Sequence, residues 1–156
     1  MLLKKFAFYY RGQTSTWKIS LKTTTNSGVI YDGDTIYIIN HLEETGEKTY
    51  LDTCNVNEHG GYRVQTTNDL ERDIKTLTST WKIKLKNGNN LGKSAIKHGD
   101  LVYIVSQYGK ISYLDAFGDA TCHTDGLYRV ETTPNLERDQ TYQSSTWKII
   151  LKSNED

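Results

Sequence analysis

The chain has 156 residues, and its 19 Lys and Arg are balanced by 19 Asp and Glu, so the formal net charge is zero. That length suits one compact domain with a real core, and the balance removes any net field toward nucleic acid or an anionic membrane. The chain is rich in Thr, Tyr, Ile and Asn and holds a single Pro, which favours strands and turns over helices; no apolar run approaches the roughly 20 residues of a membrane-spanning helix.

The opening residues, Met1 to Tyr10, carry neither a signal-peptide core nor a small-residue cleavage site. They read as belonging to a chain that stays inside the cell or has lost a leader. Residues 6–11 form a short strand pattern, and the first of three copies of one phrase follows. Ser-Thr-Trp-Lys-Ile stands at residues 15–19, 79–83 and 145–149. In each copy the large apolar residues fall at every second position: Trp17, Ile19, Leu21; Trp81, Ile83, Leu85; Trp147, Ile149, Leu151. Lysines fill most of the positions between. A period of two marks a strand with one buried face, and a slip of one residue would bury lysine and expose tryptophan. The three strands are therefore expected to serve as equivalent staves of one core, their indoles meeting in a shared interior.

The similarity extends beyond the tryptophans. Gly33-Asp34 opens an apolar run that Gly99-Asp100 opens again, Tyr50-Leu51-Asp52 returns as Tyr113-Leu114-Asp115, and Tyr62-Arg63-Val64 returns as Tyr128-Arg129-Val130. Leu70-Glu71-Arg72-Asp73 returns as Leu136-Glu137-Arg138-Asp139. Each unit reads as four strands separated by turn residues. Whole units run from about residue 28 to 87 and from about 94 to 152, while residues 1–22 match only the second half of a unit. No stretch holds a 3.6-residue period over three turns, so the class is all-β, with one domain over 1–156.

Four-strand units that close on a tryptophan resemble the β-trefoil superfamily, most closely its ricin-B-like and MIR-like members. The resemblance rests on the Gly-Asp opening strand, the Tyr-Leu-Asp second strand and the closing Trp-x-Ile. It implies a β-trefoil-like barrel of internal four-strand repeats; the alternative is a two-repeat β-sandwich with the N-terminal Trp strand pairing across the seam. Two departures stand out: Ser-Thr-Trp replaces the Gln-x-Trp of ricin-type lectins, and the first unit lacks its opening hairpin. A second copy completing that unit by strand exchange, hence a homo-oligomer, is one expectation. A shortened barrel is the other.

Catalytic patterns are missing. There is no Gly-x-Ser-x-Gly elbow, no His-Glu-x-x-His and no phosphate-cradling Gly-rich loop. His41, His59, His98 and His123 show no ligand spacing, and Cys122 and His123 are neighbours that point to opposite faces of a strand. No enzyme activity, catalytic residue, metal or cofactor is expected. Asp32-Gly33-Asp34 has the look of a calcium loop, but its counterpart is His98-Gly99-Asp100, so a turn is the better reading. Cys54 and Cys122 do not occupy matching positions and read as free thiols, although a disulfide between them would close a long, stabilising loop.

The resemblance also points to a ligand. In ricin-type trefoils an Asp near the second strand accepts hydrogen bonds from a sugar, and an aromatic ring stacks on the sugar's apolar face. The matching sets here are Asp52, Asn55 and Tyr62, and Asp115, Asp119 and Tyr128. Against that stands a structural use of the same residues, with Asp capping a turn and Tyr packing between strands. Arg72 and Arg138, each between two acids, are expected to form an ion-paired turn ahead of the Trp strand. The sequence thus reads as a carbohydrate-binding, lectin-like module with duplicated shallow sites, its partner a glycan or glycoprotein and not nucleic acid. The second reading is a protein- or lipid-docking domain of a larger toxin or adhesion system.

Overall fold

The structure is a computed structural model that describes residues 4–10, 13–23, 28–41, 46–89, 93–117 and 129–151. Ten strands and two short helices follow in the order β1 (Lys4–Tyr10), β2 (Gln13–Leu21), β3 (Thr35–His41), β4 (Lys48–Val56), β5 (Tyr62–Thr67), α1 (Glu71–Thr76), β6 (Trp81–Leu85), β7 (Leu101–Ser106), β8 (Ser112–Phe117), β9 (Arg129–Thr133), α2 (Glu137–Tyr142) and β10 (Trp147–Lys148). All pairings are antiparallel and belong to one sheet, which rules out the two-sheet sandwich.

The sheet closes on itself. Pairing runs β3–β4–β5–β9–β8–β7–β6 and back to β3, a ring of seven strands. The β1–β2 hairpin attaches outside the ring along β3, and β10 attaches along β7. The thinnest seam is between β5 and β9, where Arg63 opposite Glu131 is the one paired position.

The period-two pattern places the core as expected. Ile19, Ile83 and Ile149 are buried, together with Ile36 and Ile38 of β3, Val102 and Ile104 of β7, and Leu51 and Leu114 of the second strands. Trp81 is completely buried within this cluster, whereas Trp17 and Trp147 pack against it from the margin. The indoles share one interior, as the phrase predicts, but not equally. Strand β6 has a partner on each side, β3 and β7, whereas β10 pairs only with β7 and only over Trp147 and Lys148. At Trp147 the strand's one covered edge, among the described residues, leaves the ring partly open to water. Trp81 Nε1–H donates to the Leu51 carbonyl at 2.9 Å, and Trp147 Nε1–H to that of Leu114 at 2.9 Å, so neither ring buries an unmet donor.

The Gly-Asp turns repeat in detail. Gly33 and Gly99 both have φ of +88°, a backbone region that other residues enter only with strain. Asp34 Oδ2 accepts the Tyr31 N–H at 2.8 Å and Asp100 Oδ2 the Lys97 N–H at 2.7 Å. Asp32 Oδ1 accepts the N–H of Leu85, and His98 Nδ1, in the corresponding place, accepts that of Leu151. Asp32 is therefore used as a backbone acceptor, in keeping with a turn. No group of His, Cys, Asp or Glu able to hold a metal occurs among the described residues.

Two expectations need correction. The Leu-Glu-Arg-Asp segments, read as turns, start six-residue helices that the next residues, Leu77 and Gln143, close in the left-handed region at φ of 59° and 51°. A helix of six residues shows no period over three turns, which is why the pattern missed it. The closing strand of the last unit is also shorter than the alternation suggests, ending at Lys148.

Truncating Trp81 to Ala is expected to cost about 3–5 kcal/mol, and the same change at the half-buried Trp147 clearly less. Urea unfolding of the two variants checks the order; equal losses would contradict the packing described.

Candidate functional site

Two kinds of buried aspartate tie the strands and helices together, and both occur twice. In the first kind, Asp52 on β4 is completely buried. Its Oδ2 accepts from Arg72 Nη1 at 2.9 Å and Gln65 Nε2 at 3.0 Å, and its Oδ1 from the Ser79 hydroxyl at 2.9 Å. Asp115 on β8 repeats this with Arg138 Nη1 at 2.6 Å and the Ser145 hydroxyl at 2.9 Å. The arginine of Leu-Glu-Arg-Asp thus pairs with the second-strand aspartate and not with the acids beside it in sequence. The lock expected of that segment exists, but its partner comes from the strand.

In the second kind, Asp73 and Asp139, the last residues of the same four-residue segments, turn inward. Asp73 Oδ1 accepts the Ser79 N–H at 2.8 Å and the Thr80 hydroxyl at 2.7 Å, while Oδ2 takes Lys22 Nζ at 3.0 Å and the Tyr37 hydroxyl at 3.1 Å. Asp139 is held likewise by Ser145, Thr146, Lys86 and Tyr103. Each lysine ends one Trp strand and reaches the helix that precedes the next. Lys22 and Lys86 therefore point to internal carboxylates, although the pattern reads them as outward. Burial pushes the Asp73 carboxyl up, but the bonds from Thr80, Lys22 and the Ser79 N–H, with the lysine charge, outweigh it and hold the group below the usual carboxylate range. Asp139 is lowered against the same burial by Lys86, Thr146 and Ser145. Burial, then the Asp73 charge, drives the Tyr37 hydroxyl up to about 12.

Of the candidate ligand residues, Asp52 and Tyr62 are committed internally. The Tyr62 ring is buried and meets Tyr108 edge-on with centroids 4.9 Å apart, and its hydroxyl accepts the Lys110 N–H at 3.0 Å. That hydroxyl fills the space a Cβ at residue 109 would need, so Gly109 is required there. Asn55 is exposed at the irregular end of β4. Asp119 and Tyr128 lie outside the described residues, as does Cys122. Cys54 carries a free thiol.

Asp115 has a different setting from Asp52. It lies on the wall of a cavity of about 230 Å³, shared with Asn57, His59, Glu131, Thr132, Thr133, Asn135, Glu137 and Arg138. The floor comes from β8, β9 and α2; the opposite wall is the turn between β4 and β5. Asn57 builds that turn, its Oδ1 accepting the N–H groups of His59 and Gly61 at 3.0 and 2.9 Å. Its Nδ2 then crosses to Glu131 Oε2 at 3.1 Å and the Thr132 carbonyl at 3.0 Å. The approach is so close that a Cβ on Gly61 would fall 1.9 Å from the Thr132 oxygen. Sequence reasoning missed Asn57 and Glu131, and found no ligand spacing at His59. The Gly60-Gly61 pair after Asn57-Glu58-His59 was the available signal of a tight approach. A wider depression of about 380 Å³ lies beside Leu21, Lys22 and Leu77, but its lysine is already bound to Asp73.

Neither a protein-family model nor a curated protein matches the sequence. Solved structures do match in fold. A mutant of HCR/D superposes with a TM-score of 0.69 at 14% identity, over 97% of this chain and 42% of that one. The ligand binding domain of botulinum neurotoxin serotype D, in complex with N-acetylneuraminic acid, gives 0.62 at 14% identity over 97% and 39%. The receptor binding domain of the botulinum neurotoxin C/D mosaic serotype gives 0.62 at 16% over 98% and 38%. The chain has the β-trefoil fold of these toxin domains. It spans between 33% and 42% of the length of the matched chains.

The lowered carboxyls set the acid behaviour. A group whose folded value lies below its unfolded one of about 3.9 stabilises the fold above that pH and loses its contribution as pH falls through the folded value. Asp73→Asn is thus expected to cost about 1–3 kcal/mol at pH 7, with the gap to wild type narrowing steadily below about pH 4. Thermal unfolding across that range reads it out.

Proposed function

We propose that this chain is a carbohydrate-binding, non-catalytic module, and that its saccharide site is the cavity at Asp115. The observation that carries the reading is the composition of that cavity: nearly every lining side chain offers a hydrogen-bonding group, and Asp115, Glu131 and Asn57 are buried and fixed by partners before any ligand arrives. A saccharide presents many hydroxyls, and neutral hydrogen bonds give little net affinity in water unless the site is preorganised. Support comes from the fold, since a matched toxin domain is a ligand binding domain in complex with N-acetylneuraminic acid.

In this reading the internal repeat supplies two aspartates but uses them differently. Asp115 lines the site while keeping its bond to Arg138. Asp52 holds strand to helix, its oxygens occupied by Arg72, Gln65 and Ser79. The wall facing Asp115 is a turn of the preceding unit, and the unit preceding Asp52 is the one with half its pattern. Asp119, two residues after β8, and Tyr128, directly before β9, stay proposed as ligand residues on the resemblance to ricin-type lectins. A homo-oligomer that completes the first unit would add a wall beside Asp52 and a second site. The docking reading, a receptor-contacting part of a larger toxin-like protein, is favoured by the matched receptor binding domains, of which the chain spans less than half.

The double variant His59→Ala with Asn135→Ala removes two exposed rim groups without touching either aspartate lock. Binding on a glycan array is expected to fall at least about tenfold, with a stability loss of no more than about 2 kcal/mol from the bond that Asn135 Oδ1 accepts from the Glu137 N–H at 3.1 Å. An array on which the wild-type chain binds nothing, alongside a stable oligomer in gel filtration, would favour the docking reading.

A further inference from the structure

Resting on that reading, the geometry points to the class of sugar. We infer that the Asp115 cavity selects saccharides by the hydrogens they donate, gains from an amino group, and discriminates against sugars that carry a carboxylate.

The argument begins with one difference between the two halves. On β5, Gln65 stands opposite Asp52, and its Nε2 donates to Asp52 Oδ2 at 3.0 Å. On β9 the residue opposite Asp115 is Glu131. An ionised glutamate has no hydrogen to give. Among the described residues, the donors to Asp115 are therefore Arg138 and Ser145, one fewer than Asp52 receives. Glu131 turns to donors of its own, Asn57 Nδ2 at 3.1 Å and Arg129 Nη1 at 3.3 Å. Two buried carboxylates thus sit side by side on paired strands, each with acceptor capacity that two or three bonds do not exhaust.

The rest of the lining keeps the same bias. Glu137 is exposed at the rim. Among the described lining residues, Asp115, Glu131 and Glu137 face one guanidinium, Arg138, which is already bound to Asp115, and one imidazole, His59, which lies beside the Glu58 carboxylate. Arg129 sits against Glu131 from outside the lining set. A sugar hydroxyl meets these acceptors with its proton, and an ammonium meets them with three protons and a positive charge. A sugar carboxylate would add a negative charge to a cavity where carboxylates already outnumber lining cations, and the low dielectric of the wall enlarges that repulsion. The matched toxin domain is in complex with an acidic sugar; the same sugar would meet repulsion in this cavity.

Titration of the full chain with galactose, galactosamine and N-acetylneuraminic acid at pH 7, followed by NMR shifts, tests the order. Galactosamine is expected to bind about three- to fivefold tighter than galactose, the ratio an exposed ion pair gives, and N-acetylneuraminic acid more weakly than either. Glu131→Gln places here the residue found opposite Asp52, keeps an oxygen for the Asn57 amide and gives up the Arg129 pair; it is expected to bring the galactosamine-to-galactose ratio down to about one, a ratio read on the folded chain and so independent of any fall in its unfolding midpoint. Tighter binding of N-acetylneuraminic acid than of galactose, or an unchanged ratio in the variant, would overturn this inference and leave the carbohydrate reading standing. No shift with any sugar, neutral, amino or acidic, would overturn both.

Discussion

The architecture depends on carboxylates that are buried and fully answered. Asp73 and Asp139 each gather a backbone N–H, a threonine, a tyrosine and a lysine. Burying an ionised group is costly unless it is paired and hydrogen-bonded, and here the partners come from three separate stretches of chain. The lysine arrives from the end of one Trp strand, the hydroxyl and amide from the start of the next, the tyrosine from the strand between. Strand order and helix position are thus fixed together by one group. Asp52 and Asp115 do the same between second strand, helix and serine.

This arrangement explains why the cavity appears where it does. The aspartate locks hold α2 against β8 and leave the face of β9 to be covered by the turn between β4 and β5. Asn57 meets that face through two bonds, and Gly61 lets the backbones touch. What remains between them is a polar space bounded by groups whose positions are already determined. A ligand entering it reorganises little, which is the condition under which weak hydroxyl contacts add up.

Much of this was legible in the sequence, for a stated reason in each case. Period-two apolarity fixed the Trp strands and their register because a slip would bury lysine. The repeated Gly-Asp gave the turns because positive φ favours glycine. The locking role of Leu-Glu-Arg-Asp was visible as charge, but not its partners: Asp52 lies 20 residues before Arg72, and only the folded sheet brings them within 2.9 Å. The partners of Lys22 and Lys86 are hidden for the same reason, since alternation reports the side of a strand and not what a long side chain reaches. The sugar set of Asp52, Asn55 and Tyr62 came from resemblance. Asp52 and Tyr62 are bonded within the fold, while Glu131, unremarkable beside Gln65 in sequence, sets the character of the cavity at Asp115.

The single-pair seam between β5 and β9 has a mechanical consequence. A ring of strands opens first where its ladder is shortest, and at Arg63 and Glu131 the ladder is one rung long. The clasp across that gap is Asn57, gripping Glu131 and Thr132, and those residues also bound the cavity. A ligand held there, as proposed, would bridge the barrel's shortest ladder. Occupancy and closure become one equilibrium, in which a filled chain resists unzipping and amide exchange along β5 reports on the bound state.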